Sequence, residues 1–357
     1  MISCDFIKTL CNDFYSHGKL GKDYAIIFVY NDTANTDEVH KTECVYPIEQ
    51  QMIEESFQKI AQFIYSFNSE IAFIKAIDQI RCKHSHLLVY SMAQNINGVG
   101  RRVLIPLLCK YYNILNIGSD EYASFLSGDK RLMQKLLEIN PELHFPRTIY
   151  INQYNIKSIE NIINQLPIGK YILKPIDESA SIGVKPFELH SDNFTQIYAD
   201  LLKYSEHHSY FFIQEYIDGY EVEVPLINIE QDYFCPGVCQ IVFEDNMDYL
   251  DYDIVGLDSY GFIRYPYSAT NIISSAVSVA KSLQFNCISR IDFRIMKNVP
   301  YIIDIGANPT ISTHSSTNYL FRSLLGDESS VYHLLVIRSL MQAGLFKPSF
   351  NQAKQNR

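Results

Sequence analysis

The chain has no run of basic residues, and its 357 residues carry a formal net charge of −10. Nucleic acids and anionic membrane surfaces are therefore poor partners for the surface as a whole. Any polyphosphate would have to be held by a few local lysines. A hydrophobic content of 47% with 20% charged residues allows large cores and excludes a disordered chain.

Long hydrophobic runs are also absent. The longest, such as VLIPLLC from residue 103, are far shorter than the ~20 residues that cross a bilayer. The N-terminal segment MISCDFIKTL carries Asp5 inside its only apolar stretch, which argues against a signal peptide. The eight cysteines lack the spacing of a disulfide framework or of a zinc site. Together these absences predict a cytoplasmic protein.

The sequence contains no GxxxxGK[ST] phosphate loop, no internal repeat and no low-complexity segment. At ~150 residues per domain, its length predicts two or three domains. YAIIFVY (24–30) and HLLVYSMAQ (86–94) are typical of buried strands, and the segment 47–67 between them has helical spacing. This alternation predicts a parallel sheet with helices on its faces.

Mixed helix and strand patterns follow this first region. Asp129 is a candidate N-cap for a short helix over 129–140, which Pro141 ends. Strand patterns at 146–151 and 170–175 then flank a helical one. We therefore predict an N-terminal Rossmann-like domain (1–120), a central α+β subdomain (121–216), a C-terminal subdomain ending in a long helix (217–345) and a polar tail (346–357).

A hairpin is predicted for SRIDFRIMKNVPYIIDIG (289–306), because its two β-rich runs flank an Asn- and Pro-containing turn. If Met296 pairs with Pro300, Asp292 lies directly opposite Asp304, where like charges destabilise the pair. A proton on one acid, a cation between the two, or ion pairing with the arginines of the same strand would each relieve the repulsion. The hairpin alone leaves these three explanations open.

A polar loop follows the predicted strand that ends in Lys174. It contains the small residues Ser179, Ala180, Ser181 and Gly183. Backbone N–H groups and serine hydroxyls in such a loop can wrap a polyphosphate, while the lysine reaches its oxygens. A mobile surface loop is the alternative, and the loop alone does not decide between them.

Five motifs occur in chain order: GDKRLMQKLL, YILKPIDESASIGV, QEYIDGYEVEV, RIDFR and DIGANPTISTHSS. Together they resemble the ATP-grasp superfamily, most closely its D-alanine–D-alanine ligase branch, over roughly residues 85–340. The resemblance implies an α/β and α+β fold in which two α+β subdomains clasp ATP behind an N-terminal parallel-sheet domain. It also implies an ATP-dependent ligase that forms an amide through an acyl phosphate. The implied metal is one or two Mg²⁺ ions, with Mn²⁺ as a substitute.

The same motifs imply which residues bind the nucleotide. Lysines hold its α- and β-phosphates, a flexible lid covers them, and a hinge segment meets adenine and ribose. The implied residues are the lysines Lys130 and Lys174, the lid Glu178–Val184 with Ser179, Ser181 and Gly183, the adenine contacts Glu215, Tyr216 and Ile217, and the ribose-binding Glu221.

The resemblance also implies the metal and catalytic residues. Asp292 and Asp304 resemble an acidic pair that ligates magnesium, which would remove the repulsion between them. Asn308 resembles an asparagine of some relatives and is the third candidate ligand. Arg290 matches an arginine that stabilises the transferring phosphoryl group, and Ser315 a serine that fixes the carboxylate of the amine substrate. The candidate catalytic residues are Arg290, Ser181 and Ser315.

Three positions depart from the family's pattern. Gly306 stands where the last metal motif usually has an asparagine. Thr310 replaces a glycine whose backbone helps to bind the reacting oxygen. Val255 occupies the position of a lysine near a Tyr-Asp-Tyr segment.

The N-terminal substrate motifs of the family are poorly matched. AQNINGVGRR (93–102) replaces a His-Gly-containing loop, and its Arg101 and Arg102 either bind an acidic substrate or lie solvated at a helix start. We therefore expect a ligase that joins a carboxylate other than D-alanine to an amino acid or short peptide. The alternatives are a degenerate nucleotide-binding or regulatory protein, or an ATP-grasp enzyme of different chemistry. No nucleic acid or membrane partner is expected, and a homodimer is left open.

Overall fold

Three sheets follow one another along the chain. A parallel four-stranded sheet comes first, then an antiparallel four-stranded sheet, then a six-stranded antiparallel one. No helix in the described part of the chain is long and apolar enough to cross a membrane. This computed structural model describes residues 1–36, 39–94, 98–152, 154–243, 249 and 259–350.

The first sheet is buried on both faces, as a parallel sheet covered by helices must be. Alternate residues of its central strand enter two different cores: Ile26 and Phe28 in one, Ile27 and Val29 in the other. The strand order is β2-β1-β3-β4. Its elements are α1 (Cys4–Ser16), β1 (Tyr24–Val29), α2 (Pro47–Ile60), β2 (Ile64–Phe67), α3 (Glu70–Arg81), β3 (His86–Ser91), α4 (Leu104–Tyr111), β4 (Leu115–Asn116) and α5 (Glu121–Leu126), with 3₁₀ turns at Thr33–Asn35 and Val39–Glu43.

The helix predicted over 47–67 is wrong in its last third. Helix α2 ends at Ile60, and Ala61 is already extended, with φ −133° and ψ 151°. Residues 64–67 form β2 and pair in parallel with β1. Their β-branched and aromatic side chains fit a strand, and pairing with a buried neighbour outweighs their helical spacing.

The second sheet has the order β5-β8-β6-β7. Before it, the side chain of Asp129 accepts a hydrogen bond from the Leu132 N–H at 2.9 Å, so the predicted N-cap is confirmed. The elements here are α6 (Lys130–Leu137), β5 (Thr148–Ile151), a 3₁₀ turn (Ile156–Ser158), α7 (Ile159–Asn164), β6 (Gly169–Pro175), β7 (Lys185–Leu189), α8 (Phe194–His207) and β8 (Phe211–Glu215).

The third sheet has the order β12-β11-β9-β13-β14, with β10 paired to β9. Its central strand β9 is buried along nearly its whole length. The elements are β9 (Tyr220–Ile229), β10 (Asp232–Phe234), β11 (Cys239–Phe243), β12 (Tyr260–Arg264), α9 (Thr270–Ser282), β13 (Ile288–Met296), β14 (Val299–Gly306), α10 (Ser316–Leu325) and α11 (Ser330–Gln342).

The final helix α11 returns to the N-terminal region. It is buried from residue 330 to residue 340 and shares a core with α1, α2 and β1. His333 on this helix accepts from the Tyr15 hydroxyl at 2.8 Å and donates to the Ser56 carbonyl at 2.7 Å. The ends of the chain therefore build one core.

The turn of the predicted hairpin is tighter than expected. Lys297 and Asn298 both have positive φ, at 52° and 65°. Two such residues form the turn whose twist matches antiparallel strands. Met296 therefore pairs with Val299, and the predicted pairing of Met296 with Pro300 is wrong.

A β-bulge then restores the predicted pairing of the acids. Phe293 pairs with Ile302, but the next pair is Asp292 with Asp304. Ile303 is the extra residue of the bulge. The two aspartates therefore lie opposite each other, as expected, by a route that the sequence did not reveal.

Candidate active site

A cleft of about 580 Å³ is lined by residues of the second and third sheets and by loop and helix residues of the N-terminal region. The residues assigned above to nucleotide, metal or catalysis line it, with the exception of Gly183. Positions from all five motifs thus converge on one cavity, which is the arrangement expected of a ligand site.

Three carboxylates form a row across neighbouring strands at the base of the cleft. Glu223 on β9 pairs in register with Asp292 on β13, which pairs with Asp304 on β14. Glu223 was missed by the sequence analysis. The signal was present in YEVEVP, where alternation places Glu221 and Glu223 on the same face of the strand.

Arg290 joins two of these acids. Its Nε and Nη2 donate to the two oxygens of Asp292 at 2.8 and 2.7 Å, and Nη2 lies 3.3 Å from Glu223. Glu223 also accepts from the Ser316 hydroxyl. Burial raises the pKa of Asp292 to about 7, although Arg290 opposes the rise. Arg290 therefore bridges the first two acids of the row.

The donor set of this row suits a hard divalent cation. Two opposed carboxylates supply oxygen, and the Asp304 side chain is 42% exposed to the cleft. Magnesium binds through one or two carboxylates and completes its shell with phosphates and water. Within the described ranges, no group of three or more histidine, cysteine or acidic side chains is arranged to hold a metal ion.

The third candidate ligand, Asn308, is turned towards the N-terminal side of the cleft. Its Oδ1 accepts from the Ser119 N–H at 3.2 Å, and its Nδ2 donates to Ser124 at 2.9 Å. Its role as a ligand stays a prediction. Gly306 has open space instead, since a Cβ there would meet no neighbouring atom closer than the Arg290 carbonyl oxygen at 4.0 Å.

Two lysines lie beside Asp304. Lys130, at the start of α6, donates to the Glu178 carbonyl at 2.7 Å and lies 3.5 Å from Asp304. Lys174, on β6, donates to the carbonyl of the bulge residue Ile303 at 3.2 Å. Although burial acts to raise it, the pKa of Asp304 is lowered by these two lysines. Burial lowers the pKa of Lys174.

The predicted lid is a tight loop in left-handed conformations. Ala180, Ser181 and Gly183 have φ of 48°, 56° and 72°. A Cβ at Gly183 would lie 2.7 Å from Pro175 and 2.8 Å from the His208 ring, so glycine is required there. The conformation of the loop therefore depends on backbone geometry at these positions, with Ile182 buried between Ser181 and Gly183 in the chain.

The N-terminal region fastens the base of this loop. Arg101 Nη1 lies 3.1 Å from Glu43 and 3.3 Å from Glu178. Ser179 donates to Glu43 and accepts from Arg102 Nη2 at 3.3 Å. Glu43 belongs to none of the five motifs, so no local pattern connects it with the loop.

The predicted adenine hinge leads out of β8. The N–H groups of Glu215 and Tyr216 donate to the carbonyls of Arg147 and Lys170 at 2.8 and 3.0 Å. These two N–H groups are therefore used within the protein and would not donate to an adenine at this hinge.

The predicted ribose residue Glu221 is buried, with 7% exposure. Burial raises its pKa, and Arg294, at 3.6 Å, opposes the rise. The Arg294 guanidinium also stacks over the Tyr216 ring at 4.5 Å. The sequence left open that this arginine, with Arg290 on the same face, pairs with the opposed aspartates; its carboxylate partner is Glu221.

Ser315 occupies the N-cap of α10. Its Oγ accepts from the Asn318 N–H at 3.2 Å and donates to the Ser312 carbonyl at 3.0 Å. Ser315 therefore caps this helix, and its role towards substrate stays a prediction. Thr310 is exposed at the cleft, while Val255 lies outside the described residues.

The comparison with known families decides the classification. A sequence profile of the ATP-grasp domain matches residues 127–314, more than half of the chain. The chain belongs to the ATP-grasp family. This confirms the resemblance drawn from the five motifs.

Curated relatives of this ATP-grasp protein include two D-alanine–D-alanine ligases. The enzyme of Flavobacterium psychrophilum is 25% identical over 217 residues, which cover 58% of this chain and 63% of that enzyme. The enzyme of Coprothermobacter proteolyticus is 22% identical over 215 residues, covering 58% and 68%. The chain thus matches less than two thirds of the length of the first relative.

Solved structures confirm the fold over a wider span. The ATP complex of the Bacillus anthracis D-alanine–D-alanine ligase superposes with a TM-score of 0.67 at 14% identity, covering 90% of this chain and 98% of that one. The VanG D-Ala:D-Ser ligase of Enterococcus faecalis gives 0.64 at 15% identity, with 89% and 99% coverage. At these identities the likeness establishes the fold alone.

Proposed function

We propose that this ATP-grasp protein is an ATP- and Mg²⁺-dependent ligase that joins a carboxylate to an amine through an acyl phosphate. One observation carries the proposal: Arg290, the opposed pair Asp292 and Asp304, and the lysines Lys130 and Lys174 face one cleft. Cations for a polyphosphate and acids for a metal thus lie within reach of each other, which phosphoryl transfer requires.

In this proposal the lysines bind the nucleotide. Lys130 and Lys174 hold the α- and β-phosphates, and the lid with Ser179, Ser181 and Gly183 closes over the phosphates and excludes water. Adenine rests on the hinge Glu215–Ile217. Glu221 accepts hydrogen bonds from the ribose hydroxyls.

The acidic pair would hold the metal. Asp292 and Asp304, with Asn308 as the third candidate, would ligate Mg²⁺, for which Mn²⁺ can substitute. When bound, the ion supplies charge neutralisation between the β- and γ-phosphates. Arg290, fixed by two hydrogen bonds to Asp292, points its remaining charge to the transferring group.

The reaction then runs in two displacements. A carboxylate oxygen of the first substrate attacks the γ-phosphorus, and ADP leaves. The amine nitrogen of the second substrate attacks the acyl carbon, the bond to phosphate breaks, and the amine loses a proton. Arg290 stabilises the oxyanion of the tetrahedral intermediate, and Ser315 and Ser181 contribute to substrate fixation and catalysis.

Measurement of ADP release with pooled carboxylates and amines, together with hydroxylamine trapping of the acyl phosphate, tests the proposal. We expect amine-dependent turnover and a hydroxamate product. Asp292→Asn should lower turnover by about a thousandfold or more, because a metal ligand is lost. Its melting temperature should fall by only a few degrees, since Glu223 still pairs with Arg290.

Asp327→Asn is the matched control, because Asp327 forms a surface ion pair with Lys59 and is not among the residues that line the cleft. It should retain full turnover. Equal losses of stability and activity in Asp292→Asn would argue that this acid is structural. ATP consumption without a trapped acyl phosphate would indicate a different ATP-grasp chemistry.

A degenerate nucleotide-binding protein is the second candidate, and Gly306 favours it. The family's asparagine oxygen is missing there, and nothing in the described structure fills the space. Binding of Mg²⁺-loaded nucleotide without turnover by any substrate pool would support this candidate over the ligase.

A further inference from the structure

Arg102 differs from the other arginines of the cleft. Among the described residues it has no carboxylate within 4 Å, and its side chain lies half-buried in the cleft wall. Every other cleft arginine has such a partner: Arg101 with Glu43 and Glu178, Arg290 with Glu223 and Asp292, and Arg294 with Glu221.

The hydrogen bonds of Arg102 all go to neutral acceptors. Its Nε donates to Gln94 at 2.7 Å, Nη1 to the Asn308 carbonyl at 3.1 Å, and Nη2 to Ser179 at 3.3 Å. A guanidinium has five N–H groups, so each terminal nitrogen keeps one N–H for another partner. These bonds fix the guanidinium; no carboxylate among the described residues contacts it, although Glu43 and Asp304 lie near enough to favour its charged form.

Lys174 is the parallel case. It too has no carboxylate within 4 Å in the part of the chain that the structure describes, and it donates to the Ile303 carbonyl. Burial lowers the pKa of both Lys174 and Arg102. A desolvated cation without a direct counter-ion is costly unless an anion joins it. Lys174 is proposed to bind a phosphate of the nucleotide. By the same reasoning, Arg102 should bind a second anion.

We infer that Arg102 binds a second anionic group of the carboxylate substrate, which is therefore a dicarboxylic acid or an acidic amino acid. This inference rests on the proposed ligase function. The planar fork matches a carboxylate through two parallel hydrogen bonds. The group that it binds is distinct from the reacting carboxylate, because two N–H bonds would withdraw the electron density with which that oxygen attacks phosphorus.

The position of Arg102 agrees with this assignment. Its two terminal nitrogens hold Ser179, in the lid, and Asn308, four residues after Asp304. An anion on this fork would lie between the lid and the strand that carries the metal-binding acid. Arg101 differs from Arg102 because its charge is already paired with Glu43 and Glu178.

The test compares acids with their uncharged amides. ADP release is measured with Mg²⁺-ATP, pooled amines and one carboxylate at a time. The acids are aspartate, glutamate and glutarate, and their amide controls are asparagine, glutamine and glutaramate. Both enantiomers of each amino acid are tested. We expect turnover with an acid at a KM at least tenfold below that of its amide. Arg102→Gln should raise that KM about 30-fold with kcat changed less than about threefold, the effect of losing a charged hydrogen-bond pair. The KM of Arg102→Lys for the acid should lie between those of the wild type and Arg102→Gln.

Arg81→Gln, on the exposed end of α3, is the matched control and should leave both constants unchanged. Equal KM values for acids and amides would overturn the inference and leave the ligase standing. A fall of kcat in Arg102→Gln without a rise of KM would also overturn the inference, because the guanidinium would then act on the reacting centre.

Calorimetry separates the two proposals. Glutamate and glutarate are titrated into wild-type protein loaded with Mg²⁺ and a non-hydrolysable ATP analogue. If no pool supports turnover, the ligase fails, yet acid binding that Arg102→Gln abolishes still supports the anion site. Absence of acid binding to the wild type overturns it. Circular dichroism monitors the folding of each variant. If Arg102→Gln does not fold, the KM and the acid binding of Arg102→Lys are used to test the inference instead.

Discussion

The residue type at position 306 determines whether the protein can offer a metal ion one more oxygen ligand. A Cβ at Gly306 has room, with 4.0 Å to the nearest neighbouring atom, and its φ lies outside the left-handed range. We predict that Gly306→Asn lowers the half-saturating Mg²⁺ concentration on the order of tenfold, because the amide adds a donor beside Asp304. Titration of nucleotide binding with Mg²⁺ measures this.

Gly21→Asn is the control for that experiment, since a Cβ at Gly21 would also have open space, with no atom within 4 Å, and Gly21 lies before β1. It should leave the Mg²⁺ dependence unchanged. An unaltered titration for Gly306→Asn would show that its side chain does not reach the ion.

Residues of the site differ in how far the sequence could predict them. Lys130, Asp292 and Asp304 stand in local motifs with strong patterns, and all three reach the cleft. Glu43 was not predicted, and the sequence left Arg102 open between an acidic-substrate site and a solvated helix start; their partners Ser179 and Asn308 lie 136 and 206 positions away along the chain. Contacts at such separations depend on the packing of whole domains, which local spacing does not encode.

At the scale of elements, the lid depends on one glycine. We predict that Gly183→Ala raises the KM for ATP by about tenfold or more, because the new methyl group would collide with Pro175 and His208 and displace the loop. The thermal midpoint should change little, since the loop contributes little to the cores. Steady-state kinetics and calorimetric melting measure the two quantities.

Gly344→Ala is matched to it. Gly344 has nearly the same φ, 70°, and no atom within 4 Å of its Cβ position. Gly344→Ala should lose only the free energy of unfolding that the backbone strain costs, about 1–2 kcal/mol. Its KM for ATP should be unchanged. A similar KM for ATP in both variants would refute a special role for the glycine of the lid.

The contact of α11 with α1 predicts an acid-sensitive stability. Burial lowers the pKa of His333, and the Ser56 carbonyl opposes this. The unfolded chain therefore binds a proton more readily. The contribution of His333 to stability is fully present above its unfolded pKa, about 6.5, and is lost as the pH falls through its lower folded pKa.

Urea unfolding at pH 7.5 and pH 5 tests this for the wild type and for His333→Gln. The amide of glutamine can still donate to the Ser56 carbonyl but does not titrate. The loss of unfolding free energy between the two pH values should be smaller in the variant. An equal loss would assign the acid sensitivity to other groups.

Elements with a strong pattern were predictable, and their ends were not. The strand at 24–30 and the N-cap Asp129 follow from burial and capping chemistry. The end of α2 and the bulge at Ile303 follow from pairing with neighbouring strands. Since pairing partners are distant in sequence, periodicity within one segment cannot locate such boundaries.

At the scale of the whole molecule, the N-terminal domain lacks a complete core of its own. Tyr332 of α11 is fully buried and contacts Phe57 of α2, with ring centroids 5.7 Å apart. We predict that an isolated fragment 1–120 loses cooperative thermal unfolding and binds a hydrophobic dye, because this face of its core is exposed.

Addition of a peptide spanning residues 327–345 should restore part of the cooperativity. A sharp transition of the fragment alone, near that of the complete chain, would contradict this prediction and would establish the predicted boundary at 120 as that of an independent folding unit.

The bulge in the last hairpin has a consequence for protein design. Deleting Ile303 would yield an evenly paired ribbon in which both aspartates still face each other. Lys174 would lose its anchor, because the peptide oxygen that steadies its ammonium group belongs to the extra residue. Grafting only the side chains of this site onto a regular scaffold would therefore reproduce the acids and leave the lysine untethered.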